Sequence, residues 1–293
     1  MSAISASKER YEPVLKPPLV ALLQALCTVV PLTLALMLLS SSSLFSSVTV
    51  ELGLQHYAER RPAWLNWLPE QLPMPLNTAV NMGYILCGIY WCFFIAEANR
   101  MGFVKCREAF LFYVFNIMSC VYGFVQGYRI IVQSHASAVM DQWYTLPFFM
   151  LVFVTLRSFR KGWSTLPFVV LMFASVVSYS LTLLTNVGFE IALGCHILVA
   201  VTEAVLMLLR YPSEDSQLYF ILGALSCAGF VGLKLLDLEL PKFHWFFTYI
   251  SGHFLSKISD ILQIHFTNEF FFAMIFSVHV GEADFSSFKL KSG

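Results

Sequence analysis

The sequence predicts an all-α fold, a polytopic transmembrane helical bundle of about eight spans. Of its 293 residues, 58% are hydrophobic and only 12% are charged, whereas soluble domains carry about 25% charged residues. Eight apolar segments of helix length follow one another along the chain. All but one of the connections between these segments are short, which predicts one compact bundle rather than separate domains.

The apolar segments divide the chain in order. The first follows a mixed-charge segment, is long for a signal-peptide core and lacks a small-residue cleavage pattern, so we expect a retained helix. The eight segments are residues 19–39, 76–96, 108–132, 142–157, 164–184, 189–209, 217–236 and 246 to roughly 279. The predicted divisions are a cytosolic N-terminal segment (1–18), a first transmembrane helix (19–39), a lumenal or extracellular loop (40–75), a helical-bundle core (76–280) and a cytosolic C-terminal tail (281–293).

The distribution of Lys and Arg predicts the orientation. With the N-terminus in the cytosol, the cytosolic segments hold 12 of these residues and the opposite segments hold 4, as the positive-inside rule requires. We therefore expect both termini in the cytosol, in a multi-pass protein of the endomembrane or secretory pathway. The formal net charge is zero and no basic run occurs, so membrane lipids are the expected partners, nucleic acid is not, and no protein partner is predicted.

The seven cysteines have no paired CxxC spacing, and they predict neither a disulfide framework nor a cysteine metal site. Candidate functional residues are instead the polar residues at membrane depth, because such residues are costly there and usually face a protein interior or a water-filled cavity. The candidates for a polar chamber are Asn77, Asn81, Asp141, His196, Glu203, His253, Lys257 and Asp260.

Structural interpretations of these residues stay open beside the functional one. Asn77 and Asn81 are spaced to bridge neighbouring helices, and Asp141 is placed to cap a helix. His196 is either a hydrogen-bonded core histidine or, with Glu203 on the same helix face, part of a site. Lys234 and Asp237 are three residues apart at a predicted helix end, where a snorkelling pair costs little.

The stretch GHFLSKISDILQIHF (252–266) has the most unusual pattern. His253, Lys257 and Asp260 fall at i, i+4 and i+7, so on a helix they share one stripe within an apolar surround. One interpretation is an intrahelical ion pair between Lys257 and Asp260. The other is a polar chamber in the bundle, with His253 as a ligand or a proton carrier at neutral pH.

Six segments occur in a characteristic order: VTVELGLQHYAE, MPLNTAVNMGYILCG, VMDQWYTLP, GFEIALGCH, LSCAGFVGLKLLD and GHFLSKISDILQIHF. On these segments the chain resembles the transmembrane protein 187 family over essentially its whole length. A more distant resemblance, carried by LNTAVNM, MDQWYTLP and HFLSK, is to the alkaline ceramidases and the wider superfamily of seven-helix membrane hydrolases that includes adiponectin-type receptors. It implies a ceramidase-like seven-helix core preceded by one extra helix.

The hydrolase resemblance implies a zinc ion held by one histidine of the second core helix and two of a final HxxxH, activating water for attack on an amide carbonyl. His253 matches the first histidine of the final motif and Asp141 matches a family aspartate, but Lys257 stands in the place of the second histidine. The second-helix histidine has no counterpart in SCVYGFVQGYRIIVQ. We therefore expect no cofactor; a rebuilt metal site would draw on His253, His196 and Glu203.

Three functional hypotheses follow. The preferred one is a non-enzymatic or degenerate member of the ceramidase-like fold, whose polar intramembrane chamber binds a lipid or a small amphiphile. The alternative is a metal-dependent lipid amide or ester hydrolase with a rearranged site around His253. A transporter is the third hypothesis, although the sequence has neither the internal repeat nor the matched helix breaks typical of that class.

Overall fold

The computed structural model describes residues 18–70 and 72–291, with side chains up to residue 279. Most of the predicted segment 1–18, and the end of the predicted tail 281–293, lie outside the described residues. The described helices are α1 (Pro18–Ser40), α2 (Pro75–Ala79), α3 (Met82–Arg100), α4 (Cys106–Val132), α5 (His135–Lys161), α6 (Thr165–Ser178), α7 (Gly188–Arg210), α8 (Glu214–Leu235), α9 (Leu240–Phe243) and α10 (Gly252–Lys291).

Eight stretches of the described chain are long and apolar enough to cross a membrane, which confirms the predicted fold class. α2 and α3 form one of these stretches together, and α9 is a short helix in the connection between α8 and α10. α5 begins at His135, seven residues before the predicted apolar segment, because the Ser134 side chain accepts a hydrogen bond from the Ser137 backbone N–H and caps the helix. α10 begins later than its apolar run, at Gly252, after a 3₁₀ turn over Trp245–Thr248.

α4 and α5 are the most buried spans and lie at the centre of the bundle. α1 packs on both of them through a stripe that includes Ala21, Ala25 and Val29, as expected for helical spacing. α3 packs against α4, and α10 packs against α8, α3 and α5. α8 packs mainly against α10, and Ser216 is its one buried residue. A gap between α7 and α8 follows from this arrangement.

Residues 40–70 and 72–74, together with the α8–α10 connection, lie at one end of the bundle, which we call the loop end. There the backbone N–H of Arg60 donates to the carbonyl of Thr248 at 2.6 Å, so the two connections are tied together. α8 approaches α10 closely at this end: a Cβ on Gly252 would lie 2.6 Å from the Leu233 carbonyl oxygen. The absence of a side chain at Gly252 therefore permits the contact.

Candidate functional site

A buried lysine is the centre of a polar cluster between α3, α4, α5 and α10. Lys257 is 2% exposed, and its Nζ donates to Asn81 Oδ1 at 2.8 Å and to Gln126 Oε1 at 2.7 Å. No carboxylate of the described residues lies within 4.0 Å of this ammonium. The predicted ion pair between Lys257 and Asp260 is therefore wrong, because the lysine side chain turns toward neighbouring helices instead of along its own.

Gln126 connects this lysine to a buried ion pair. Its Nε2 donates to Tyr122 OH at 2.6 Å and to Asp141 Oδ1, and the other oxygen of Asp141 pairs with Arg129 Nη1. Asp141 lies in the second turn of α5, whose N-cap is Ser134, so the interpretation of Asp141 as a helix cap is wrong. Removal of one partner from such a buried pair costs several kcal/mol, which makes the pair a rigid part of the cluster.

Asp260 occupies the opposite side of the cluster. Its Oδ2 accepts a hydrogen bond of 2.8 Å from Tyr84 OH, and Tyr84 packs edge-on against Tyr122 with ring centroids 5.3 Å apart. Asp141 and Asp260 thus have separate partners on separate helices. Neither needs Lys257 as a direct counter-ion.

The two asparagines of α2 and the turn after it join this end of the bundle to α10. Asn81 Nδ2 donates to the Asn77 carbonyl at 2.8 Å while its Oδ1 accepts from Lys257. Asn77 Nδ2 donates to Ser251 Oγ at 3.3 Å. The Oδ1 of Asn77 is buried and has no partner among the described residues, an arrangement that normally costs free energy unless water or a ligand supplies a donor.

His253 lies at the loop end of the cluster and is 8% exposed. Its ring packs edge-on against Tyr57, with centroids 4.8 Å apart, and its backbone N–H donates to Asp237 Oδ1 at 2.7 Å. Within the part of the chain that the structure describes, the imidazole itself makes no hydrogen bond.

Residues 57–60, which we call the cover segment, lie over this end of the cluster. The backbone N–H of Ala58 donates to Asp237 Oδ2 at 2.9 Å. The Glu59 carboxylate accepts from the backbone N–H groups of Leu76 and Asn77, both at 2.8 Å, and so caps α2. Burial raises the pKa of both carboxyls above their ordinary values, and the backbone N–H donors only partly oppose it.

His196 and Glu203 are placed elsewhere, on the face of α7 toward α5 and α6. His196 bonds to the Ala192 carbonyl at 2.7 Å and to Ser175 Oγ at 2.8 Å. Glu203 pairs with Arg160 in a two-point contact, at 2.7 and 2.8 Å. The structure therefore gives each residue a structural partner of its own, and the prediction that both line the chamber with His253 is wrong.

The donor set does not fit the zinc ion that the hydrolase resemblance implies. Zinc needs three or more firm ligands on one centre, and no group of His, Cys, Asp and Glu side chains suited to this occurs in the described residues. His253, His196 and Glu203 are not assembled, and Lys257 directs a cation into the cluster. The rebuilt metal site is therefore not formed by these residues.

An apolar groove opens between α7 and α8, with α5 and α10 at its base. Small side chains of α7 and α8 form its walls and phenylalanines of α10 form its floor; they include Ala200, Ala204, Gly223, Ala224, Phe266 and Phe270. Gln263 Oε1 is buried beside the groove with no partner among the described residues. Cys227 lies at the end of the groove nearer the cluster.

Several members of the cluster were outside the predicted set: Tyr84, Tyr122, Gln126, Arg129, Tyr57, Glu59 and Asp237. Gln126 and Arg129 carried a signal, because two polar residues three apart within an apolar helix share a face. The tyrosines carried none, since a tyrosine in an apolar segment is an ordinary core residue.

Comparisons with known proteins agree with the sequence resemblance. The TMEM187 protein family matches residues 25–272. Transmembrane protein 187 of Bos taurus is 40% identical over 238 residues, covering 81% of this chain and 90% of that protein. Transmembrane protein 187 of Homo sapiens is 39% identical over 238 residues, covering 81% and 87%. No solved structure matches the chain. With eight membrane-length helices and these matches over most of its length, the chain is a multi-pass membrane protein of the transmembrane protein 187 family.

Proposed function

We propose that this protein is a non-enzymatic membrane protein that binds a lipid or small amphiphile. The polar end of the ligand occupies the cluster around Lys257, and its apolar chain occupies the groove between α7 and α8. The loop end faces the lumen or exterior and both termini face the cytosol, in a membrane of the secretory pathway. The ceramidase-like resemblance and the excess of Lys and Arg on the cytosolic segments support this orientation.

The observation that carries the proposal is incomplete hydrogen bonding in a buried site. Most of the cluster is internally satisfied, but the buried Asn77 Oδ1 has no donor among the described residues. At the same end, the imidazole of His253, which is 8% exposed, makes no hydrogen bond to a described residue. Buried polar groups are nearly always paired. An acceptor and an imidazole left over at the same end of one cluster are the pattern expected of a site whose ligand completes the network.

The groove supports an amphiphile rather than a polar solute. Its lining is apolar and its open side lies between membrane-length helices, so the medium beside it is lipid hydrocarbon. Cys227 precedes Lys234 by two helical turns, about 10 Å along α8. A ligand that spans this distance needs a polar head and an apolar chain.

The test is a lipid analysis of the protein purified in mild detergent, comparing the unmodified chain with Gly223→Leu and Gly232→Leu. Gly223 lines the groove, so a leucine there fills space that the chain of the ligand needs. Gly232 lies on the same helix, and a Cβ there meets nothing within 4 Å. We expect one amphiphile class to co-purify with the unmodified chain and Gly232→Leu and to be depleted in Gly223→Leu.

Equal lipid content in all three proteins, with only bulk membrane lipids represented, would contradict the proposal. The thermal denaturation temperature of each protein is measured in parallel, so that loss of a ligand is distinguished from loss of the fold.

A further inference from the structure

We propose that a pocket between the end of α5 and the start of α6 binds the phosphate of an anionic phospholipid from the surrounding bilayer. The pocket, which we call the basic pocket, is lined by Arg157, Lys161, Trp163 and Ser164 together with apolar side chains deeper in the bundle. It shares no lining residue with the groove between α7 and α8. The inference is therefore independent of the proposed amphiphile site.

The basic pocket lies at the end of the bundle opposite the loop end. α5 begins at His135, whose ring Nε2 bonds to the carbonyl of Val48 at 2.8 Å, and it ends 26 residues later at Lys161, about 39 Å farther along the helix. The hydrocarbon core of a bilayer is about 30 Å thick. The pocket is therefore at the depth of the lipid head groups, and in the orientation proposed above this is the cytosolic leaflet, which carries anionic lipids.

Two cations without a counter-ion line the pocket. Arg157 and Lys161 are one helical turn apart on α5, so their side chains share a face. No carboxylate of the described chain lies within 4.0 Å of either side chain, and the lining contains no Asp or Glu. Arg160, between them in sequence, turns toward α7 and pairs with Glu203.

The two helix ends at the pocket do not remove this positive charge. The C-terminus of α5 carries a partial negative charge of about half a unit, and the N-terminus of α6 carries a similar positive one. No acidic residue lies in the first turn of α6, and the side chain of its N-cap, Ser164, makes no capping hydrogen bond. The two side-chain charges therefore remain, and the first N–H groups of α6 have no intrahelical acceptor.

The charge balance of this whole end of the bundle also favours an anion. Among the residues described there, seven cations stand against five carboxylates, which leaves an excess of two. The cations are Arg100, Lys105, Arg107, Arg157, Arg160, Lys161 and Arg210, and the carboxylates are Glu97, Glu108, Glu203, Glu214 and Asp215.

The shape of the pocket favours a lipid over a free anion. Its volume of about 100 Å³ is several times what a single water needs. Val154, Phe168 and Leu171 form an apolar wall, and Val154 lies seven residues before Lys161, about 10 Å deeper in the membrane. A phospholipid covers this wall with the start of its acyl chains, whereas a free phosphate leaves it bare.

The neighbouring aromatic and apolar side chains are also those of a membrane interface. The Trp163 ring lies against Phe168 and Phe110, with centroids 5.4 and 5.6 Å away, as expected for a tryptophan at head-group depth. Leu166, in the first turn of α6, is 72% exposed. Lipid therefore lies beside the pocket and has direct access to it.

The test titrates the purified full-length protein, in an uncharged detergent, with dioleoyl phosphatidic acid and with dioleoyl phosphatidylcholine. Bound lipid is counted by native mass spectrometry, and inorganic phosphate is added as a competitor. Lys161→Gln and the double variant Arg157→Gln with Lys161→Gln remove the proposed contacts. The matched control is Arg107→Gln with Arg210→Gln, because these two cations are exposed at the same end and do not line the pocket. Gly223→Leu separates the pocket from the groove between α7 and α8.

We expect phosphatidic acid to bind at least about tenfold more tightly than phosphatidylcholine, as hydrogen bonds between charged groups imply. Lys161→Gln should weaken phosphatidic acid about fivefold, and the double variant at least about twentyfold. The matched control and Gly223→Leu should stay within about twofold of the unmodified protein, because both changes are remote from the pocket. The thermal denaturation temperature of each variant is measured in parallel, and Lys161→Gln decides the test if the double variant does not fold, because Lys161 is exposed.

Four results would overturn the proposal. Equal binding of the two lipids would refute a site for an anion, and unchanged binding in the Lys161 and double variants would refute its residues. An equal loss in the matched control would mean that general surface charge attracts the lipid, and a comparable loss in Gly223→Leu would place the lipid in the groove. Competition by inorganic phosphate as effective as that by phosphatidic acid would refute the lipid source.

Discussion

The buried ion pair between Arg129 and Asp141 gives the sharpest energetic prediction. The Arg129 side chain is 8% exposed and the Asp141 side chain is 5% exposed, so each charge depends on the other for compensation. Arg129→Met leaves Asp141 with one hydrogen bond, from Gln126. We expect a loss of about 3 kcal/mol in the free energy of unfolding, at the lower end of the range for broken buried pairs because this bond remains.

The double variant Arg129→Met with Asp141→Leu should recover most of that loss. Replacing a whole buried pair with apolar side chains of similar size is often neutral or stabilising. The single variants and the double variant form a cycle, and we expect a coupling free energy of about 2–3 kcal/mol. The free energy of unfolding is measured by denaturant titration in mixed micelles or bicelles, followed by circular dichroism or tryptophan fluorescence.

The control for this cycle is Arg100→Met, which breaks the pair between Arg100 and Glu97. Those side chains are 73% and 49% exposed, and exposed pairs are worth about 1 kcal/mol or less. Additive losses in the Arg129 and Asp141 variants would refute the reasoning, because they would mean that the two charges do not compensate one another in the folded protein.

Two further predictions concern the loop end. Gly252→Val should destabilise the protein by about 1–3 kcal/mol in the same unfolding assay, because a Cβ at position 252 would lie 2.6 Å from the Leu233 carbonyl oxygen. Gly232→Val is the control and should change the free energy of unfolding little, because a Cβ at position 232 meets nothing within 4 Å. Lowering the pH from about 7 to 5 should raise the hydrogen-exchange protection factors of the cover segment, that is, the intrinsic base-catalysed rate at each pH divided by the observed exchange rate. Burial raises the pKa of Glu59 and Asp237, so the docked segment binds protons more tightly than the released one, and docking weakens as the pH rises through those pKa values. Protection factors that fall at the lower pH would contradict the second prediction.

The sequence predicts the helices well because membrane spans are set by apolar length. α1, α4 and α7 lie within two residues of their predicted ends. α10 is the largest departure, because it continues to Lys291, past its predicted end near residue 279. α5 begins seven residues early, since its first turns carry polar residues such as His135 and Asp141. A hydropathy window leaves such polar turns out of the predicted span, although the helix already begins there, after its N-cap Ser134.

The site is predicted less completely, because helix adjacency decides which polar residues meet. Asn81, Asp141, His253, Lys257 and Asp260 were candidates from their positions alone, and the structure brings them to one end of the bundle. The choice of partner was not predictable in the same way. Spacing along α10 favoured a contact between Lys257 and Asp260, but the side-chain amide oxygens of Asn81 and Gln126 are within reach of the long lysine side chain.

His196 and Glu203 illustrate the same limit. Their shared face on α7 was predicted correctly from their separation of seven residues. That face packs toward α5 and α6, where Arg160 and Ser175 supply partners. Periodicity identifies a face and gives no information about the helix on the other side of it.

The central claim is that the cluster around Lys257 and the groove beside α8 hold one amphiphile. The most direct measurement is native mass spectrometry of the purified full-length protein released gently from detergent, with Gly223→Leu beside it. We expect one additional mass per chain, identified on extraction as an amphiphile, and its loss in Gly223→Leu. A chain that carries no such mass, and takes up none when incubated with oleate or lysophosphatidic acid, would contradict the account.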